Sequence, residues 1–175
     1  MSESLHQINV TISNEEDRLL LRVSTTAKHE YRLWLTRRFL RALWDLLVKA
    51  VERHAGAHAQ SDDEVRKALI SFQHEAAVKG ADFKTAYTAA EFDSPFGEKP
   101  VLVTGVQLKA GRGGNFEMTL QTIDDRSVSV RLDAKLLHSL CSILATAAKK
   151  AEWGLDLRIG APLGPAKAPE GAQMH

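Results

Sequence analysis

The 175 residues are 44% apolar and 26% charged, with 23 Lys and Arg set against 22 Asp and Glu. That balance excludes a low-complexity coil and a protein that coats nucleic acid non-specifically, and no apolar run approaches the roughly 20 residues that span a bilayer. The single cysteine, Cys141, excludes an intrachain disulfide, and without an N-terminal apolar run resembling a signal peptide the expected location is the cytoplasm.

In chain order, residues 5–13 alternate with period two, Ile8, Val10 and Ile12 on one side and Gln7, Asn9 and Thr11 on the other. This predicts a half-buried strand. After a turn at residues 14–17, Leu19, Leu21 and Val23 predict a second strand, and Tyr31, Leu33 and Leu35 supply the inward positions of a third. Thr36 is a suitable N-cap for a helix carrying Phe39, Leu40, Leu43, Leu46, Leu47, Ala50 and Val51 at helical spacing. The first module, residues 5–54, is therefore expected to be β-β-β-α.

An inserted helix is expected over 61–80. The run Ser61-Asp62-Asp63-Glu64 has the form of a capping box, Val65, Leu69, Phe72, Ala76 and Ala77 make an apolar side, and Gly80 is a stop. Residues 81–91 suggest an edge strand, and Pro95, Gly97 and Pro100 a turn-rich approach to the second sheet.

Residues 99–154 repeat the first module. Leu35 and Leu132 stand 97 positions apart, and at that offset Thr36 falls on Asp133, a second good N-cap. Phe39, Leu40, Leu43, Leu46, Leu47 and Ala50 fall on Leu136, Leu137, Leu140, Ile143, Leu144 and Ala147. The strands keep phase as well, Leu19, Leu21 and Val23 falling on Phe116, Met118 and Leu120. The first strands match at 98 because one hairpin loop is a residue longer. The expected fold is α+β: a pseudo-two-fold pair of β-β-β-α modules with antiparallel sheets covering each other, residues 1–159 forming one domain. The Gly-, Pro- and Ala-rich tail over 160–175 has almost nothing to bury and is expected to be disordered.

This order of strands and helix, given twice, resembles the Whirly and PUR-repeat proteins. The resemblance implies a module that binds single-stranded nucleic acid. It covers residues 5–53 and 99–153 and rests on layout alone; those families usually have four strands before each helix where three are legible here. The wording RLWLTRR (residues 32–38) is also similar to small uncharacterised bacterial proteins, and implies no activity.

Charge is unevenly placed. Residues 18–53 hold nine Lys and Arg against three Asp and Glu, whereas residues 61–100 hold five against eight. If Tyr31, Leu33 and Leu35 face inward, then Glu30, Arg32 and Trp34 face outward, with Arg22 beside them on the neighbouring strand. An indole among guanidinium groups stacks bases and holds phosphates. Arg37, Arg38 and Arg41 crowd the start of the following helix, where the dipole already disfavours cations by roughly 0.3–1 kcal/mol each. An anion bound there turns that repulsion into attraction. The candidate site is thus Arg22, Arg32, Trp34, Arg37, Arg38 and Arg41, with single-stranded DNA or RNA as partner.

Two alternatives weigh against it. Asp45 with Arg41, and Asp17, Glu30 or the acidic turn at 62–64 with Arg37 and Arg38, would neutralise the cluster internally. Alternatively a twin subunit or another protein covers Trp34, making the chain a homodimeric or adaptor protein.

The remaining motifs are weaker. His54, His58 and His74 lack the companions of an ordinary metal site. Residues 111–114 (GRGG) read as a hairpin turn, and lack the ending of a phosphate-binding loop. His138, Ser139 and Cys141 do not converge as nucleophile and base from one helix, and Cys141 reads as a buried thiol. No catalytic residue, metal or cofactor is therefore expected.

Overall fold

The computed structural model describes residues 2–56, 61–88 and 91–160. The chain runs β1 (Glu3–Ser13), β2 (Arg18–Thr25), β3 (Glu30–Leu35), α1 (Arg37–His54), α2 (Asp63–Lys79), β4 (Val101–Ala110), β5 (Phe116–Thr122), β6 (Ser127–Leu132) and α3 (Ala134–Lys150). It is an α+β chain, and the inserted helix lies within the expected 61–80 and stops at Gly80, but its N-cap is Asp62 and not the Ser61 of the expected capping box, because the Asp62 carboxylate takes the Glu64 and Val65 amides.

Each trio of strands is an antiparallel meander. In the first, Val10 faces Leu21 and Leu21 faces Leu33; in the second, Leu108 faces Met118 and Met118 faces Val130. The meanders do not lie back to back as two separate sheets. They join edge to edge into a closed ring of six strands. One seam is a short parallel ladder between β3 and β4, pairing Leu33 with Val101 and Trp34 with Leu102. The other joins β6 to β1, pairing Val130 with Glu3 and Arg131 with Ser4. Closure follows from local irregularity. β1 shifts register between Leu5 and Gln7, and β4 between Val103 and Gly105, so each long strand bends toward the other meander. The ring removes the unpaired edges that two separate sheets would expose.

The two seams agree in detail. Each residue of one stands 97 or 98 positions from its counterpart, as do the two bulges. The Thr26 amide donates to the Ser4 carbonyl at 2.9 Å, and the Ile123 amide to the Leu102 carbonyl at 2.9 Å. Lys28 and Asp125, both at φ 61°, occupy the same place in the β2–β3 and β5–β6 turns.

Thr36 Oγ1 accepts from the Phe39 amide at 3.1 Å, and Asp133 Oδ1 from the Leu136 amide at 2.8 Å, so both expected N-caps are in place. The helices they start bury Leu40, Leu43 and Leu47 of α1 and Leu137, Leu140 and Leu144 of α3 against the inward strand residues in one cluster. Burying each such leucine stabilises the fold by roughly 1.5–3 kcal/mol, and truncating one to Ala costs about 2–5 kcal/mol. Leu5, on the inward face of β1, belongs to the same cluster.

One further expectation fails. No strand forms in the described part of residues 81–91, because Asp82 Oδ1 takes the amides of Lys84 (2.9 Å) and Thr85 (3.0 Å) into a turn. Gly160, at the very start of the expected tail, lies against α2: a Cβ there would stand 2.5 Å from the Lys67 carbonyl oxygen, and its φ is 64°. The remainder of that tail, from 161, lies outside the described residues.

Candidate functional site

Strand alternation places Arg22, Arg32, Glu30 and Trp34 on the outer wall of the ring, with Arg22 opposite Arg32 and Trp34 between Leu20 and Leu102. Three of the four are engaged with one another. Glu30 is only 1% exposed and accepts from both arginines. Arg22 brings Nε and Nη2 to Oε1 at 2.9 and 2.8 Å, and Arg32 brings Nε and Nη2 to Oε2 at 3.1 and 2.9 Å. Arg32 Nη1 donates further to the Glu98 carbonyl at 2.8 Å, and the Arg22 guanidinium lies 4.5 Å above the Tyr87 ring. Burial, then the nearby Glu30 charge, pushes the Tyr87 phenol up to about 12.

Arg22 and Arg32 are therefore removed from the expected binding set. They form a clasp around a buried carboxylate and fasten the segment before β4 to the sheet. The Glu30 amide donates to Asp93 at 2.8 Å and the Asp93 amide to Lys28 at 3.0 Å, continuing the same seam. The outward phase of Glu30 was readable from sequence. Its cover was not, because it comes from residues about 60 positions away.

Trp34 is half-buried on the outer wall, where Leu20, Trp34 and Leu102 lie side by side across three strands. Ile123, 63% exposed, follows at the edge. At the second seam the corresponding positions are Glu117, Arg131, Ser4 and Thr26. There Glu117 faces Arg131, and Arg131 Nη2 donates to Ser4 Oγ at 3.2 Å. The same backbone arrangement thus carries a polar set on one seam and an apolar, aromatic set on the other. Ring closure does not by itself require an indole.

Three residues beyond Trp34, α1 begins with Arg37 and Arg38 exposed, and Arg41 exposed one turn on. Its first turn contains no acid. Among the described residues, none of these three arginines enters a salt bridge. Of the internal neutralisers, Glu30 is held by the clasp, Asp63 by Arg66 and Lys67 of its own helix, and Asp17 accepts from the Trp153 indole, while Asp45, one turn beyond Arg41, enters no salt bridge among the described residues. The other helix starts behave differently. In α2, Asp62 caps the Glu64 and Val65 amides with acids following, as the dipole favours, and α3 begins with Ala134 and Lys135.

Of the weaker candidates, residues 111–114 form a one-turn hairpin closed by the Gly111 amide on the Asn115 carbonyl at 2.7 Å, with Gly113 at φ 67°. Cys141 is fully buried, which pushes its thiol up to about 12 and leaves it inert. His54, His74 and His138 come together from three helices, a convergence that no spacing announced. His74 and His138 face each other through Nδ1 at 2.8 Å, and the His54 and His138 ring centres are 6.4 Å apart. Among the described residues no group of three or more His, Cys, Asp and Glu side chains is arranged to hold a metal ion. His58 lies outside the described residues. Among them, too, no helix is long and apolar enough to cross a membrane.

The chain matches no protein-family model, no curated protein and no solved structure.

Proposed function

We propose that the chain is a non-enzymatic binding module for single-stranded nucleic acid, held along the Trp34 seam and the arginine-lined start of α1. The observation that carries this reading is the contrast between the two seams. The strands meet in the same register at both, yet one wall is Leu20, Trp34 and Leu102 beside three arginines with no salt bridge among the described residues, and the other is polar and internally hydrogen-bonded. A half-exposed indole offers a base a stacking surface worth roughly 1–3 kcal/mol. Arg37, Arg38 and Arg41 place guanidinium forks beside first-turn amides that have no partner within the helix, a combination suited to phosphate. The same reading takes the halves as two copies of one unit, the first carrying the ligand face and the second supporting it.

Fluorescence anisotropy with a short labelled oligonucleotide across a salt series tests it. Micromolar or tighter binding that weakens steeply with salt, and that falls in a Trp34→Ala, Arg38→Ala double variant, is expected. No binding at low salt removes the proposal.

The apolar character of Leu20, Trp34, Leu102 and the exposed Ile123 favours a second reading, a homodimer closed on this wall. Light scattering separates the two. A stable dimer that Trp34→Ala converts to monomers supports the interface, and a monomer that binds oligonucleotide supports the first reading.

A further inference from the structure

We propose that the His74–His138 contact is an acid-sensitive latch that holds α2 against α3. α2 has little else to fasten it. Of its side chains only Ile70 and Ser71 are buried, while Phe72 is 70% exposed and Val65 44%. The chain on either side of it forms no regular element among the described residues, from Ala55 to Asp62 and from Gly80 to Pro100. Its attachments to the rest of the fold include that small apolar contact, the half-buried Leu69, Ala77 and Val78, the close approach of Gly160 to Lys67 and Ser71, and one imidazole–imidazole hydrogen bond.

That bond is sensitive to proton count for a geometric reason. Two Nδ1 atoms 2.8 Å apart share one hydrogen: one ring donates and the other accepts. A first added proton, on the donor ring's far nitrogen, leaves the contact intact. A second puts N–H against N–H and two cations in contact. The surroundings offer the second charge little relief. His138 is 3% exposed on α3, with Lys135 one turn before it lining the same recess of about 520 Å³. The His54 ring, at the end of α1, stands edge-on to it with the centroids 6.4 Å apart. Among the described residues, the carboxylate acting on His74 is Glu75, next to it on α2. Burial, followed by the nearby His74 and His54, accordingly pushes His138 down to about 4, and burial lowers His74 as well. As the pH falls toward that value the pair gains its second proton and α2 separates from α3, opening the recess between them.

Hydrogen exchange of the full chain, corrected for the intrinsic pH dependence of exchange, reads the latch directly. Between pH 7 and pH 4.5, amides of residues 63–79 are expected to lose at least tenfold of their protection while those of α1 and α3 hold theirs. In His74→Gln, whose amide still donates to His138 Nδ1 but takes up no proton, the acid-induced loss is expected to shrink at least threefold. Because His74 is only half-buried, this variant retains the core. Unchanged α2 protection at pH 4.5, loss of protection in all three helices together, or an equal acid response in His74→Gln overturns the proposal.

Discussion

Trp34 and Arg131 occupy the same register position at the two seams of the ring, Trp34 paired with Leu102 and Arg131 with Ser4. One seam therefore serves as an internal control for the other. Since Arg131 closes its seam without an aromatic side chain, Trp34→Ala is expected to remove half-buried contacts and little more. We expect a loss of about 1–2 kcal/mol in urea unfolding, with the native circular dichroism retained. Oligonucleotide affinity is expected to fall about tenfold or more. A variant that unfolds, or one that binds as the parent does, contradicts this.

The arginines at the start of α1 make a separate, quantitative prediction. Each phosphate contact contributes roughly 0.7 to the slope of log K against log salt for a single strand. Arg38→Ala is expected to lower that slope by about 0.7, and Arg37→Ala with Arg38→Ala by about 1.4. The same changes are expected to leave stability unaltered or slightly raised, because they relieve the unfavourable interaction with the helix dipole.

Glu30 gives the opposite pairing of effects. Glu30→Ala leaves Arg22 and Arg32 without their shared carboxylate and loosens their contacts with Tyr87 and the Glu98 carbonyl. Removing one partner from a buried ion pair costs about 3–5 kcal/mol, and the lower end applies because both arginines are 31% exposed and can hydrate. The two freed guanidinium groups lie on the same wall as Trp34, so oligonucleotide binding at low salt is expected to tighten. Unfolding by urea and anisotropy on one preparation check both directions.

His138 predicts how stability depends on pH. Its native pKa is depressed to about 4 from an ordinary 6.5, so between those values the unfolded chain binds the extra proton and the native state does not. Stability is thus fully present above about pH 6.5, declines as the pH falls, and stops declining near pH 4. The total is about 3 kcal/mol for a shift of this size. Urea midpoints measured from pH 7 to pH 4 check the sign, and His138→Gln is expected to flatten the profile in this window.

Gly160→Ala tests how the end of the described chain is fastened. An added Cβ would meet the Lys67 oxygen at 2.5 Å and the Ser71 nitrogen at 2.7 Å, both backbone atoms that cannot step aside, at a positive φ that disfavours alanine. A cost of about 1–3 kcal/mol is expected. It should register as faster hydrogen exchange in α2, with the strands unaffected.

What was legible in the sequence was whatever the chain states locally. Period-two alternation marked the three strands of the first meander, and the offset of 97–98 positions carried them onto the second; burial alternates most cleanly in β3, β5 and β6. Thr36, Asp133 and the acidic box marked three helix starts because a cap acts within three residues. The ring was not legible: its seams join residues 68 and 127 positions apart, through ladders of two residue pairs each. The candidate site was half legible for the same reason. The outward phase of Arg22, Glu30 and Arg32 was readable, but which cation met which carboxylate depended on the segment folded over them. Residues 81–91 misled because Phe83, Thr85, Tyr87 and Ala89 alternate in phase, while Asp82 competes for the backbone amides a ladder needs. The histidines stand on three helices and share no spacing at all.

The seam between Ser4 and Arg131 also orders events during synthesis. The first meander and α1 are complete by His54, yet β6, the partner of β1 at this seam, begins only at Ser127. For that interval the growing chain presents an open strand to solvent or to any attending chaperone, a known hazard for β-rich nascent chains. The last link in the ring to form is the one between β6 and β1, strands separated by the other four along the chain.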